Sequence, residues 1–220
     1  MPMARHSAEE LVKVNLKHEK FVPLGQPIAV ACVVINNLKK PFHALLTITV
    51  TSATYNNRSP RTISTKIHNT TMPAGSDKTF NVIVQPRDYV KKLRGESLIT
   101  IEATLKYSND LAYARSVVTL RLPELNVDLT PVGRNGEIRY NVSMKNPLAI
   151  PLTSCELAVE LPGSTRFLKP APAGSVEPFG VFFRSGSMVR TSKYTREFNA
   201  AFHCREMPIM SGYRSLEASS

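Results

Sequence analysis

Cys32, Cys155 and Cys204 are the residues of this 220-residue chain best suited to covalent chemistry. A thiol attacks only as the thiolate, with a base beside it and a third group to orient that base. Cys155 stands in "LTSCELAVELPG" with no histidine near it in sequence. Two readings are open for it: a nucleophile served by remote groups, or a small hydrophobe packed inside a strand, since free cysteine is among the most buried residue types. Cys32 lies in "IAVACVVI", the longest apolar run, where desolvation raises a thiol's pKa and quenches its reactivity. Cys204 directly follows His203, which is poor spacing for two ligands of one metal, and the other ligands are missing. The three cysteines are widely spaced, odd in number and free of any CxxC, so the sequence suggests neither a disulfide framework nor a zinc ribbon. Reduced thiols are the expectation. His43 and His68 are each flanked by strand or turn residues. No catalytic residue and no metal ligand is assigned.

Charge offers the other chemistry. The net charge is +11, and residues 1–121, with 17 Lys and Arg against 8 Asp and Glu, carry +9 of it. The densest clusters are Lys39 and Lys40 in "NLKKP" and Lys91, Lys92 and Arg94 in "YVKKLRGE", both in turn-like sequence. They make either an ordinary solvated surface or contacts to an anionic polymer or lipid. No glycine-rich phosphate loop is present and the aromatics do not interleave with the basic clusters, so nucleic acid is not an expected partner. An apolar run of eight residues is too short for a membrane helix. The start, "MPMARHSAEELVKV", has no apolar h-region, which makes cytoplasmic the expected location, with unconventional export the route to the outside.

The elements that must position these residues read as strands. In "SLITIEATLK", Ile99, Ile101, Ala103 and Leu105 share one face and Thr100, Glu102, Thr104 and Lys106 the other. The same period of two turns Leu46, Ile48 and Val50 inward, and likewise Phe80, Val82 and Val84. "IAVACVVINN" is apolar on both faces, as a central strand covered on both sides would be. Turn signals such as "VPLGQP", "NNLKKP" and "MPAGSD" separate seven strands, near 11–17, 27–37, 44–55, 61–68, 78–85, 96–107 and 113–122. That is the pattern of an immunoglobulin-like sandwich. Pro123 interrupts the ladder and marks a domain boundary.

Beyond it, Tyr140, Val142 and Met144 alternate with polar residues, as do Cys155, Leu157, Val159 and Leu161. One further strand is expected around Phe179–Arg184, whereas residues 187–220 show no sustained alternation. The expected fold class is all-β, with two immunoglobulin-like β-sandwich domains in tandem. An N-terminal tail fills 1–10, the first sandwich 11–122, an incomplete second sandwich 123–186, and an irregular or disordered tail 187–220.

These segments resemble a known family. "VSMKNPLAIPLTSCELAVELPG" resembles the stretch that opens the last β-sandwich of transglutaminases. "PIAVACVVINNLKKPFHALLTITVTSATYNN" resembles the Asn-Asn turn and following strands of the preceding sandwich, and "RLPELNV" the linker between the two. The likeness runs over about residues 11–165 in order and spacing. It implies two C-terminal sandwiches, or barrels, of a family that joins glutamine side chains to lysine amines by acyl transfer through a core cysteine. Many members use calcium, bound by the core. That core is absent here: nothing resembles its Gly-Gln-Cys-Trp stretch, and the chain has no tryptophan. By the same resemblance, Tyr55 in "SATYNN" matches a first-barrel tyrosine that reaches the core cysteine in the closed state. As a plain residue it is equally a strand-end aromatic. Lys17 on the first strand, and Arg115 about one residue out of step, stand where some members hold guanine nucleotide.

The resemblance therefore implies a non-catalytic fragment that acts by docking on a transglutaminase core or another protein, with no cofactor of its own. The alternative is a free-standing adhesion or scaffold module whose basic first domain binds an anionic partner.

Overall fold

The computed structural model describes residues 11–53, 60–93, 97–132, 137–160, 170–189 and 197–215. The chain divides into two compact units, the main cut falling between Leu120 and Arg121. The first contains β1 (Val12–His18), β2 (Phe21–Pro23), β3 (Ile28–Asn36), β4 (Phe42–Ala53), β5 (Arg61–Met72), β6 (Asp77–Val84), β7 (Leu98–Tyr107) and β8 (Asp110–Arg121). Its sheets run β1-β3-β6 and β2-β8-β7-β4-β5. The inner faces are the ones that the alternation predicts: Leu46, Ile48 and Val50 of β4, Phe80, Val82 and Val84 of β6, and Ile99, Ile101, Ala103 and Leu105 of β7 are all buried. β3 is the central strand of its sheet, but only one face is covered. Val30, Cys32 and Val34 are buried, while Ala31, Val33 and Ile35 on the other face are half-buried.

Between β6 and β7 the chain makes a single helical turn, α1 (Pro86–Tyr89), continued by a 3-10 turn at Val90–Lys92. Pro86 starts the turn with its φ already set, and Asp88 closes a capping box with Gln85. Tyr89 is fully buried, and its hydroxyl donates to the Gln26 carbonyl at 3.0 Å. The large ring thus fills the core while its polar tip keeps a partner.

The second unit contains β9 (Asn126–Val132), β10 (Glu137–Lys145), β11 (Leu152–Glu160), β12 (Ala171–Val176), β13 (Val181–Val189), β14 (Glu197–Cys204) and β15 (Met207–Ser215). Its sheets run β9-β10-β13 and β12-β11-β14-β15. The first unit's orders β1-β3-β6 and β5-β4-β7-β8 are thereby repeated strand for strand.

The tandem all-β sandwich stands, but the expected incompleteness of its second member and its irregular tail from 187 do not. β13 extends to Val189, and residues 197–215 supply β14 and β15. β14 lies between β11 and β15 and buries Phe198, Ala200, Phe202 and Cys204. Phe202 stacks on Phe182 at 4.4 Å between centroids, and Phe198 on Tyr140 at 5.3 Å. The period of two was present in "EFNAAFHC", but Ala200 and Ala201 side by side, one buried and one half-buried, blur it.

One corner is built the same way in both units. Asn36, at the end of β3, is fully buried: its Nδ2 donates to the carbonyls of Lys40, Met72 and Pro73, and its Oδ1 accepts from Leu38 N–H at 2.9 Å. Asn146, just after β10, is also fully buried. It donates to Ile150, Val176 and Glu177 and accepts from Leu148 N–H at 2.9 Å. Each amide satisfies backbone groups that the turn would otherwise bury unpaired. "NNLKKPF" (36–42) and "NPLAIPL" (146–152) share the pattern N-x-L-x-x-P-apolar, the written trace of this repeat.

Candidate docking end of the first unit

At one end of the first sandwich the start of β5 meets the helical turns that follow β6. Two of the sequence candidates, Tyr55 and Arg94, lie outside the described residues. The end of β4 and the start of β5 are described. Ser52, buried on β4, accepts from the Arg61 N–H on β5 at 3.3 Å, next to a register shift between Val50 and Thr51. Lys92 donates from Nζ to the carbonyls of Thr62 and Ile63 at 2.8 and 3.1 Å. This cation ties the 3-10 turn to the start of β5, and two of its three donors are spent on backbone. Lys91 is exposed beside it.

Lys39 and Lys40 are exposed as well, but the structure does not bring them to this group. They follow the end of β3, which pairs with the beginning of β6 (Ile35 opposite Asp77), whereas Lys91 and Lys92 come after β6 has ended opposite Ile28. The eight residues of β6 hold the two clusters roughly 24 Å apart.

Lys17 is exposed on β1 and Arg115 on β8, strands of different sheets. Their chain neighbours meet: His18 Nε2 and Ser116 Oγ share a 2.7 Å hydrogen bond, and His18 Nδ1 lies 2.8 Å from the Glu19 carbonyl. Arg115 is engaged by the residue directly opposite it on β7, with Nε 3.5 Å from Glu102 Oε1 and both side chains partly exposed. Desolvation, then a hydrogen bond to that same Glu102, pushes the Tyr113 phenol above its ordinary pKa. Glu102 thus offsets the charge that an anion would need from Arg115.

Cys32 is fully buried and reduced, and burial pushes its thiol up to about 11. His43 shares a 2.8 Å hydrogen bond with Thr71 Oγ1, and His68 stacks on Phe80. Among the described residues no three His, Cys, Asp or Glu side chains gather as metal ligands.

The expectation of three reduced thiols is overturned. Cys155 and Cys204 are joined in a disulfide, with their Cα atoms 4.2 Å apart. Glu156 pairs with His203 in the β11–β14 ladder, and one step further along that register Cys155 faces Cys204. The pair is not legible in the sequence because β14, which carries Cys204, is not. Without that strand, 49 residues separate two unrelated cysteines. Beside the bond, Glu206 in the β14–β15 turn accepts from Thr153 N–H at 2.7 Å and from Thr153 Oγ1 at 2.6 Å, while Arg205 N–H donates to the Thr153 carbonyl at 3.0 Å.

No protein-family model matches the chain, and no curated protein matches it. The crystal structure of red sea bream transglutaminase does, with a TM-score of 0.77 over 94% of this chain at 22% sequence identity. The match spans 31% of the transglutaminase chain, so this chain covers about a third of that enzyme's length, and it includes the region beyond residue 165 where the sequence likeness fades. The fold of this chain is a transglutaminase-like tandem of β-sandwiches.

Proposed function

We propose that this chain is the C-terminal, non-catalytic region of a transglutaminase-like protein and acts by docking on a catalytic core. One observation carries the reading: 94% of the chain, a share that takes in both sandwiches, matches about a third of a transglutaminase's length. The parent activity would be protein cross-linking by acyl transfer from glutamine to lysine amines. The chain's own part would be to cover and uncover a core supplied by another segment or another molecule, as mobile domains gate active sites elsewhere. The docking element is the β4–β5 connection with Tyr55, whose hydroxyl can donate to or accept from a core thiol. Its base is set by the Ser52–Arg61 and Lys92 hydrogen bonds. Calcium, where the family uses it, would belong to the core.

The anion-binding alternative has less support. The two basic clusters sit at opposite ends of β6, Lys92 is committed to backbone, and Arg115 is paired with Glu102.

An amine-incorporation assay tests the proposal. The purified chain alone should incorporate no amine. Added in excess to an isolated transglutaminase core, it should lower the core's rate, and Tyr55→Phe should relieve part of that inhibition. Turnover by the chain that depends on Cys155, Cys204 or Cys32 would end the reading, as would a core whose rate is indifferent to it.

A further inference from the structure

β12 covers the flank of β11 that faces away from β14. It is a weak cover. Its ladder with β11 is held at four positions, Leu152–Val176, Cys155–Gly174, Glu156–Pro172 and Leu157–Ala171, with register breaks on both sides of Cys155. Pro172 has no N–H to donate. Ser154 (φ +51°) and Gly174 (φ +80°) both take left-handed backbone at the break. An open depression of about 430 Å³ lies there, lined by Ser154, Cys155, Glu156, Pro172, Gly174 and Ser175. Cys204, on β14, is fully buried on the other side of Cys155.

Thiol–disulfide exchange needs a thiolate to approach the attacked sulfur from the side away from its partner. The strand on that side of Cys155 is β12, where Gly174 stands opposite it without a side chain; Cys155 is itself buried, at 2% exposure, so the approach opens only when β12 frays, whereas Cys204, at 0%, has β11 and β15 on its two sides. We propose that Cys155 is a site of reversible thiol–disulfide exchange with a dithiol reductant, reached by local fraying of β12, so that the Cys155–Cys204 bond acts as a redox tie between β11 and the β14–β15 hairpin.

In the forward direction a reductant thiolate attacks Cys155 Sγ. The Cys155–Cys204 bond breaks, and Cys204 leaves as a thiolate that takes up a proton. The second thiol of the reductant then attacks the mixed disulfide and releases Cys155 as a thiol, and the reductant departs as a cyclic disulfide. Two electrons and two protons pass from the dithiol to the protein. With the tie open, the hairpin is still held by the β11–β14 ladder and by Glu206 on Thr153, so the reduced form stays folded. This inference does not depend on docking to a transglutaminase core.

The test uses the full chain, first air-oxidised and then exposed to dithiothreitol without denaturant, with alkylation by iodoacetamide and mass measurement. We expect two alkylated cysteines, Cys155 and Cys204, with Cys32 protected by burial, and recovery of the unalkylatable state on reoxidation with oxidised glutathione. The reduction rate should be nearly flat in low urea, the mark of local opening. Gly174→Ala, whose added methyl meets open space but forces a residue with a Cβ into left-handed backbone, should raise that rate about tenfold. Three outcomes would overturn the proposal: no disulfide in the oxidised chain, reduction only in urea that unfolds the second unit, or a Gly174→Ala rate equal to that of the parent.

Discussion

Asn36 and Asn146 each use one side-chain amide to pair four backbone groups of a buried turn. Removing either amide strands carbonyls where water does not reach, and each such group costs on the order of 1–3 kcal/mol. Asn36→Ala and Asn146→Ala should each lower stability by about 3 kcal/mol in urea unfolding, whereas Asn37→Ala, at an exposed neighbour, should leave it within about 0.5 kcal/mol. The two corners differ in the residue that takes left-handed backbone. Gly75 (φ +64°) donates its N–H to the Leu38 carbonyl, and at the corresponding place Phe179 (φ +57°), an exposed ring, donates to Leu148. A left-handed residue with a Cβ is strained and an exposed ring has little packing to lose, so Phe179→Gly should stabilise the protein by about 0.5–1 kcal/mol. Cys32 makes a pH-dependent contribution. Burial raises its folded pKa from 9.0 to about 11, so the folded state holds the proton more tightly than the unfolded state does. That stabilisation is complete below pH 9 and is lost as the pH rises to 11, amounting to on the order of 2–3 kcal/mol. Unfolding measured across pH 8–11 should show a steeper decline for the parent chain than for Cys32→Ala.

At the scale of elements, β14 decides whether the second sandwich exists. It pairs with β11 on one side and β15 on the other and brings Phe198 and Phe202 to the centre. Phe202→Ala should cost about 3–5 kcal/mol, as deletion of a buried aromatic does. Ending the chain at residue 196 should abolish the cooperative unfolding of the second unit and leave that of the first. The disulfide adds to the same element: closing a loop of about 50 residues constrains the unfolded chain by about 4 kcal/mol in the loop-entropy account. Reduction should therefore lower the second unit's melting temperature and not the first's.

Sequence and structure part company here for a physical reason. The inner faces of β4, β6 and β7 were legible because large β-branched and aliphatic residues alternate cleanly with polar ones. In β12, "APAGSV" has almost no strand-forming side chains, and it is paired only because β11 offers its edge. β14 was hidden by alanines, and with it the partner of Cys155. The asparagine corners were written twice, as N-x-L-x-x-P-apolar, yet an asparagine in a turn is so ordinary that its burial shows only in three dimensions.

For the whole molecule, the repeated strand order accounts for most of what the chain is: two sandwiches of one topology, one after the other, matching about a third of a transglutaminase's length. Among the described residues the two lysine clusters, Lys39 with Lys40 and Lys91 with Lys92, do not converge, since β6 separates them. Reversing Lys91 to Glu should change heparin binding no more than reversing Lys39, and weak retention by both should vanish at about 0.15 M salt, where screening acts within ~8 Å. The docking reading is tested most directly by calorimetric titration of the purified chain into an isolated transglutaminase catalytic core. Saturable one-to-one binding is expected, weakened by Tyr55→Phe and unchanged by Lys39→Ala. Titration without binding heat, at any temperature where both partners are folded, would contradict it.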